Sequence, residues 1–186
     1  LLSLPDLVDA YNLDITGVLH VGAHLAEEAD TYQALGLSNV LWVEANPAVI
    51  AYIADRVEPL GQRVVEALVY SKDDVLLDFN ITNYDGMSSS ILEFGTHPTF
   101  SPDTVFVDTI QLHTRTLDKI VAAEGWTGNF MNMDLQGAEL HALRGARELL
   151  PHIEYVMTEV NEVEVYKDCA KIGDIDRYLT GFRRVE

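Results

Sequence analysis

Apolar stretches with two different spacings alternate along most of the chain. Short, mostly apolar stretches, typical of buried strands, occur at 17–21, 39–43, 63–69, 129–133 and 153–160. Between them, apolar residues recur at the three- or four-residue spacing of helices at 25–35, 47–57, 116–124, 138–150 and 172–179. Because alternating strands and helices fold into layers, this order predicts an α/β sandwich with a mostly parallel central sheet flanked by helices.

The middle and the two ends of the chain depart from this alternation. Apolar and polar residues alternate one by one at 75–82 and 104–112, which predicts antiparallel or edge strands. Residues 84–102 are rich in Gly, Ser, Thr and Pro and predict a long loop or lid. Ser3 and Asp6 fit the cap of a helix within residues 1–14. Residues 182–186 predict the start of a strand, after which we expect a further C-terminal strand of the sheet to be missing.

The composition predicts one domain over residues 1–186. Hydrophobic residues make up 48% of the chain, and no apolar run approaches the roughly 20 residues that span a bilayer. The formal net charge of −18 disfavours nucleic acid and anionic membranes as partners and favours a neutral or cationic substrate. The single cysteine, Cys169, and the lack of a signal-peptide pattern predict a cytoplasmic protein.

The turn after the first predicted strand is a candidate ligand site. Gly22, between His20 and His24, lies where open α/β sheets bind ligands, and the helix that follows offers free N–H groups. Glu44, about 20 residues later at the end of the second strand, is placed to accept both hydroxyls of a ribose. Since the phosphate-binding pattern G-x-G-x-x-G is absent, the combination indicates S-adenosylmethionine rather than NAD. The simpler alternatives are a tight turn that binds nothing and an ordinary loop carboxylate.

Polar residues at the ends of later strands are the catalytic candidates. Asp134 follows one predicted strand, and Glu159 and Asn161 lie at the end of the next. Because these ends share one rim of the sheet, we expect the three side chains near the cofactor, where Asp134 orients or deprotonates an acceptor group. The alternative for Asp134 is a helix cap. Although Glu139 adds a third nearby acid, we expect a site without metal.

Several stretches together resemble the FkbM family of S-adenosylmethionine-dependent methyltransferases. They are VLHVGAHLAEE at 18–28, LWVEANP at 41–47, SSSIL at 88–92, RTLD at 115–118, MDLQGAEL at 133–140, TEVN at 158–161 and GF at 181–182. The resemblance covers the chain from about residue 15 to the end. It implies a class I, Rossmann-like methyltransferase fold and usually O-methylation of a small molecule or sugar.

The resemblance also implies where the cofactor and the reaction lie. Carried over onto this sequence, it places the cofactor against Gly22, Ala23, His24, Glu44, Ala67, Leu68 and Asp134. In that arrangement Ala67 and Leu68 flank the adenine, and Asp134 is near the transferred methyl. From the residues themselves we also expect His20, Ala45 and Ser88 at the cofactor, where the hydroxyls of the segment 86–90 close over it or orient the substrate; the alternative for this segment is a flexible polar loop. Two departures stand out: Ala26 replaces a frequent glycine, and Gln136 replaces an acid, which argues against a bound metal and against a carboxylate pair.

Two other functions fit parts of the pattern. One is a catalytically idle module of the same fold that serves as a partner-binding domain, which a test of S-adenosylmethionine binding would distinguish. The other is a dinucleotide or nucleotide-sugar enzyme, against which the missing glycine fingerprint argues. The sequence therefore predicts an S-adenosylmethionine-dependent methyltransferase that acts on a small molecule.

Overall fold

A parallel sheet with flanking helices is the frame of the computed structural model, which describes residues 3–185. In chain order the strands are β1 (Val18–Val21), β2 (Val40–Glu44), β3 (Arg63–Glu66), β4 (Leu68–Val69), β5 (Leu76–Thr82), β6 (Phe106–Arg115), β7 (Phe130–Met133) and β8 (Tyr155–Thr158). The α-helices are α1 (Leu4–Tyr11), α2 (Ala29–Ala34), α3 (Ile50–Val57), α4 (His97–Phe100), α5 (Leu117–Glu124), α6 (Glu139–Arg144) and α7 (Ile172–Tyr178). Short 3-10 turns lie at Glu58–Leu60, Tyr84–Gly86 and Leu150–His152.

The central sheet has five strands within the described residues, in the order β3-β2-β1-β7-β8, and each neighbouring pair is parallel. The strand order reverses between β1 and β7, and ligands of such sheets bind beyond the carboxyl ends of the strands at this switch point. All residues of β1 and β2 are buried, as expected for strands covered on both faces. The predicted Rossmann-like α/β fold is confirmed.

A smaller sheet contains β4, β6 and β5. β5 and β6 are antiparallel, which confirms the prediction from their one-by-one alternation, whereas β4 and β6 are parallel. The strand predicted at 63–69 is divided between the two sheets. The division falls at Ala67, whose N–H donates to the carbonyl oxygen of Glu44 (2.8 Å) before the chain joins β6 through β4.

Apolar residues form a core on each face of the central sheet. One cluster contains Leu19, Leu41, Met131, Leu117, Ile120 and Leu143. The other contains Val18, Trp42, Phe130, Tyr32, Ile53 and Val57. Leu41 and Trp42 belong to different clusters because successive side chains of a strand point to opposite faces. Full burial of each such leucine or isoleucine contributes about 1.5–3 kcal/mol.

Two helices are shorter than the periodicity predicts. α2 begins at Ala29 rather than near residue 25, because His24 and Ala26 have left-handed backbone conformations, with φ of 46° and 55°. α6 ends at Arg144 rather than near residue 150. There Gly145 approaches the backbone so closely that a Cβ atom would lie 2.3 Å from the carbonyl oxygen of residue 70. Close contacts between distant segments therefore set these helix ends.

The two ends of the chain differ in how well they follow the prediction. α1 begins after Ser3, whose hydroxyl accepts the N–H of Asp6 (3.3 Å) while the Asp6 carboxylate accepts the N–H of Ser3 (3.2 Å), as the capping pattern predicted. The prediction of a strand at 182–186 is wrong for 182–185, where the chain forms no strand. Instead, the N–H of Phe182 donates to the carbonyl oxygen of Leu179 (2.9 Å), three residues earlier. Residue 186 lies outside the described residues. In the part of the chain that the structure describes, no helix combines the length and apolar character needed to cross a bilayer.

Leu41→Ala tests the contribution of the core. Leu41 is fully buried in β2, so its truncation leaves a cavity, and we expect the free energy of unfolding to fall by about 2–5 kcal/mol. Leu76→Ala in β5 is the matched control, because Leu76 is 50% exposed and its loss should change stability by about 0.5 kcal/mol or less. Urea unfolding followed by circular dichroism measures both variants. Equal losses in the two would contradict this description of the core.

Candidate active site

A crevice opens beyond the carboxyl ends of β1, β2 and β7, at the switch point of the central sheet. The space between its walls is about 620 Å³, a volume that includes open solvent at its mouth. Its lining comes from these strand ends, from β4 and β5, and from the loop after β5. The lining residues are Gly22, His24, Val43, Glu44, Ala45, Ala67, Leu68, Val69, Phe79, Gly86, Met87, Ser89, Ser90, Ile91, Asp134, Leu135, Gln136 and Ala138.

Glu44 is a buried carboxylate held in place by backbone groups. Its Oε1 accepts the N–H groups of Ala45 (2.9 Å) and Asn46 (2.8 Å), and its Oε2 accepts the N–H of His24 (2.9 Å). Burial raises the pKa of Glu44, and these N–H groups partly offset that rise. Since a carboxylate oxygen accepts about two hydrogen bonds, Oε2 has one acceptor position left for a ligand. The side chain is thus fixed before any ligand arrives.

Gly22 permits a close contact between the ends of β1 and β7. Its φ is +88°, and a Cβ atom there would lie 1.9 Å from the carbonyl oxygen of Asp134. Any side chain would therefore push these two ends apart. The interpretation from sequence was that this glycine makes room for a ligand, but the structure shows that it first makes room for the Asp134 backbone.

His24 lies in the strained turn between Gly22 and α2. Its Nδ1 lies 2.6 Å from Oε1 of Glu27, which fixes the orientation of the ring. Its Nε2 is buried and has no hydrogen-bond partner among the residues that the structure describes. An unsatisfied polar atom in the wall of a crevice is a candidate contact for a polar group of a ligand.

A pair of carboxylates lies at the mouth of the crevice. Asp134 follows β7 and Glu159 follows β8. The side-chain amide of Gln136 donates to Oδ1 of Asp134 (2.6 Å) and to Oε2 of Glu159 (3.1 Å). Partial desolvation, together with the neighbouring carboxylates of Asp134 and Glu139, raises the pKa of Glu159 to about 8. The side chain of Glu159 is therefore largely protonated at neutral pH.

Glu139 has a structural role beside this pair. It is 2% exposed, and its Oε1 accepts the N–H groups of Leu135 (2.9 Å) and Gly137 (3.1 Å) before α6 begins. Glu139, rather than Asp134, thus binds the free N–H groups at this helix start. Oxygens of Asp134, Glu139 and Glu159 lie within 4.8 Å of one another, but amide N–H groups already contact each carboxylate. A site without metal stays a prediction.

His20 and Ala23 support the turn from behind and are not among the crevice lining. His20 is 3% exposed, stacks on Trp42 with ring centroids 4.4 Å apart, and places Nδ1 2.8 Å from the hydroxyl of Tyr32. Burial lowers the pKa of His20 to about 3, so its ring is neutral and its 3.9 Å approach to Glu28 is not an ion pair. Ala23 is buried in the same cluster as Trp42 and Tyr32.

Three other predicted residues also lie outside the lining. Ser88 is fixed by its backbone, since its N–H donates to Oγ1 of Thr82 (3.1 Å), and the next two serines line the crevice instead. Glu159 stands beside Asp134 at the mouth. Asn161 is 6% exposed and pairs with Lys171 in an isolated bridge, and its Nδ2 has no partner within residues 3–185.

The structure brings together most of the predicted cofactor residues from distant parts of the chain. These are Gly22, His24, Glu44, Ala45, Ala67, Leu68 and Asp134. Sequence reasoning missed Phe79 and Ile91, and it treated Gln136 only as a departure from a pattern. The alternation in β5 was a signal that Phe79 faces inward, but no local signal pointed to the crevice.

Comparison with known proteins agrees with this architecture. The family model described as "Methyltransferase FkbM domain" matches residues 20–184. The 2-O-methyltransferase NoeI of Sinorhizobium fredii (strain NBRC 101917 / NGR234) is 25% identical over 176 residues, which cover 90% of this chain and 72% of that protein. No solved structure matches the chain significantly. Because the family match spans nearly the whole chain, including the strand ends that build the crevice, the chain belongs to the FkbM methyltransferase domain family, whose members transfer methyl groups.

Proposed function

We propose that this protein transfers a methyl group from S-adenosylmethionine to a hydroxyl group of a small molecule or sugar. The observation that carries the proposal is the buried carboxylate of Glu44, fixed at the end of β2 with one acceptor position of Oε2 left for a ligand. Family membership supports methyl transfer. The relative named a 2-O-methyltransferase supports oxygen as the atom that is methylated.

The crevice residues fit the parts of S-adenosylmethionine. Glu44 would accept the ribose hydroxyls, and the apolar wall that includes Ala67, Leu68 and Phe79 would flank the adenine. The methionine end would lie at the turn after β1, where Nε2 of His24 lacks a partner among the described residues. An unsatisfied buried polar atom costs about 1–3 kcal/mol, and a polar ligand atom at this turn would offset that cost.

Asp134 and Glu159 are the groups proposed to act on the acceptor. When bound, S-adenosylmethionine supplies a methyl group on a positively charged sulfur, which leaves as a neutral thioether. Asp134, exposed at the mouth of the crevice, orients the acceptor hydroxyl and takes up its proton as the oxygen bonds to the methyl carbon. Glu159 lies beside Asp134, and its charge is proposed to favour transfer of the acceptor proton to Asp134. Asn161, buried behind them, is proposed only to support the segment that carries Glu159.

The charge of the crevice restricts the acceptor. Within residues 3–185 its lining contains no Lys or Arg, whereas it contains Glu44 and Asp134. A phosphate or carboxylate on the acceptor would meet these negative charges with no cation to pair with. The proposed acceptor is therefore a neutral or cationic small molecule, and not a nucleic acid.

The loop at 86–91 is proposed to shield the reaction from water. Met87 stands at the mouth of the crevice with 60% of its surface exposed, and Ser89 and Ser90 face the interior. The hydroxyl of Ser90 donates to the carbonyl oxygen of Gln136 (2.9 Å), which joins this loop to the segment after β7. Exclusion of water strengthens the electrostatic interactions inside such a site.

Glu44→Gln tests the proposed ribose contact. The substitution removes the charge but keeps the shape, so we expect the Kd for S-adenosylmethionine to rise about 10- to 100-fold. Glu66→Gln is the matched control, because Glu66 pairs with Glu44 in the neighbouring strand but is exposed and outside the lining. Isothermal titration calorimetry measures both variants. If Glu44→Gln and Glu66→Gln bind S-adenosylmethionine with equal affinity, Glu44 does not contact the ribose.

The wild-type titration also decides between enzyme and idle module. Binding of S-adenosylmethionine supports the enzyme. Absence of binding by a protein that is folded by circular dichroism would favour the partner-binding module instead.

Asp134→Asn tests the catalytic step. Asparagine keeps the shape but cannot take up a proton, so we expect kcat to fall about 10²- to 10⁴-fold while the Kd for S-adenosylmethionine changes little. The assay is release of S-adenosylhomocysteine with an acceptor found by screening a metabolite library. Asp55→Asn, at an exposed position of α3, is the control. Full turnover by Asp134→Asn would exclude this residue from the mechanism.

The raised pKa of Glu159 predicts the pH dependence of turnover. Because ionised Glu159 adds a negative charge beside Asp134, which favours transfer of the acceptor proton, kcat is expected to rise with pH through an apparent pKa near about 8. Glu159→Gln removes this titrating group, so the rise near pH 8 should disappear. Rate profiles from pH 5 to 10 measure both proteins. The same rise in both would exclude Glu159 as its source.

A further inference from the structure

A glutamine side chain connects the carboxylate pair to the body of the protein. Gln136 lies between β7 and α6, and its Nε2 donates to Oδ1 of Asp134 (2.6 Å) and to Oε2 of Glu159 (3.1 Å). Its Oε1 lies 2.5 Å from the hydroxyl of Tyr166. Since an amide nitrogen carries two hydrogens, both are engaged, one on each carboxylate.

Tyr166 is a buried anchor for this amide. The residue is 2% exposed and packs against the rings of Phe94 and His97, with ring centroids 5.7 and 5.4 Å away. Its hydroxyl also lies 3.2 Å from the carbonyl oxygen of Ser88, in the loop that borders the crevice. A buried ring therefore fixes the amide of Gln136, and the amide in turn holds two carboxylates that are exposed to solvent.

The backbone at Gln136 is strained and held by several contacts. Its φ is 52°, in the left-handed region that glycine adopts without cost. Glu139 accepts the N–H groups of Leu135 and Gly137 on either side, and the hydroxyl of Ser90 donates to the Gln136 carbonyl oxygen. Strained residues that several contacts hold in place in this way are concentrated at functional sites. Because glycine would suit this backbone better, the contacts of the side chain account for the glutamine.

We propose that Gln136 is a positioning residue for methyl transfer, whose amide fixes the separation and orientation of the Asp134 and Glu159 carboxylates so that the pair faces the acceptor hydroxyl. This inference rests on the proposed function of the pair. Without the two N–H donors the two exposed carboxyl groups would lose the contact that fixes their arrangement. With them, one oxygen of each carboxyl group is held by the same amide.

The titration of Glu159 is a signature of this role. Burial and the carboxylates of Asp134 and Glu139 raise the pKa of Glu159, and Tyr166 is a further titratable group that faces it. The N–H of Gln136 that Glu159 accepts favours the charged form of Glu159. Loss of this donor therefore raises the pKa of Glu159 further.

Gln136→Met removes the donors and keeps the length of the side chain. In the protein without cofactor, ¹³C NMR of the side-chain carboxyl groups follows the titration of Glu159. Its midpoint is expected near about 8 in the wild type and about one pH unit higher in the variant. In the methyltransferase assay, kcat falls about tenfold or more, while KM for S-adenosylmethionine is nearly unchanged. An unchanged midpoint overturns the proposal, and so does a normal kcat.

Two further variants keep the test decisive. Gln111→Met is the matched control, because Nε2 of Gln111 also donates to a carboxylate, Oδ1 of Asp78 (3.0 Å), in the hairpin of β5 and β6. It should leave the midpoint and kcat unchanged, and a shift as large as that of Gln136→Met would overturn the proposal. If Gln136→Met does not fold, Tyr166→Phe decides, since it keeps the ring and removes the hydroxyl that anchors the amide, together with the contact of that hydroxyl with the carbonyl oxygen of Ser88. It should raise the midpoint by a smaller amount, and no shift would overturn the proposal.

The NMR titration separates this inference from the proposed function. If the wild type neither binds S-adenosylmethionine nor transfers methyl groups, the proposed function fails and the positioning role fails with it, whatever the titration gives. If the wild type is active and the midpoint does not respond to Gln136→Met, only the positioning role fails.

Discussion

The close approach of the Gly22 and Asp134 backbones determines the geometry of the site. A Cβ atom on residue 22 would lie 1.9 Å from the carbonyl oxygen of Asp134, and the N–H of Asp134 donates to the carbonyl oxygen of Val21 (3.0 Å). The N–H of Gly22 donates to the carbonyl oxygen of Val43 (2.9 Å), which ties the end of β2 to the same turn. Glu44 and Asp134 therefore flank one turn because three neighbouring strands end together. A cofactor held by the first carboxylate would present its reactive end towards the second.

Local sequence patterns were sufficient for the frame of the fold and for the position of Glu44 at the edge of the sheet. β1, β2 and β7 are mostly apolar because both faces of the sheet are covered, although β1 contains His20 and β7 contains Asn132. Glu44 ends the apolar run of β2, which places it at the carboxyl edge. The sequence did not reveal why residue 22 is a glycine. Room for a ligand and room for a neighbouring backbone both require a missing Cβ atom, so the pattern alone does not distinguish them.

Features that depend on contacts between distant segments could not be predicted. A strand buried on both faces has no polar alternation, so nothing in the sequence indicated that His20 faces Trp42 and Tyr32 rather than the crevice. The run at 63–69 is continuous in sequence although it divides between two sheets at Ala67. The contact of Gln136 with Tyr166 joins residues 30 positions apart through a loop, and no periodicity encodes it.

Several residues around the crevice have strained backbone conformations or buried carboxyl groups, and both oppose folding. His24, Ala26 and Gln136 have φ of 46°, 55° and 52°, a conformation that costs roughly 1–2 kcal/mol per residue. Burial raises the pKa of Glu44 and of Glu139 above the ordinary value of 4.5. The contribution of such groups to stability is therefore fully present below pH 4.5 and is lost as the pH rises through the raised values. A ligand that interacts with these groups only in the folded state would restore stability by linkage. Packing alone does not require this combination, so it favours a crevice shaped for a ligand over an idle module that has only kept the fold.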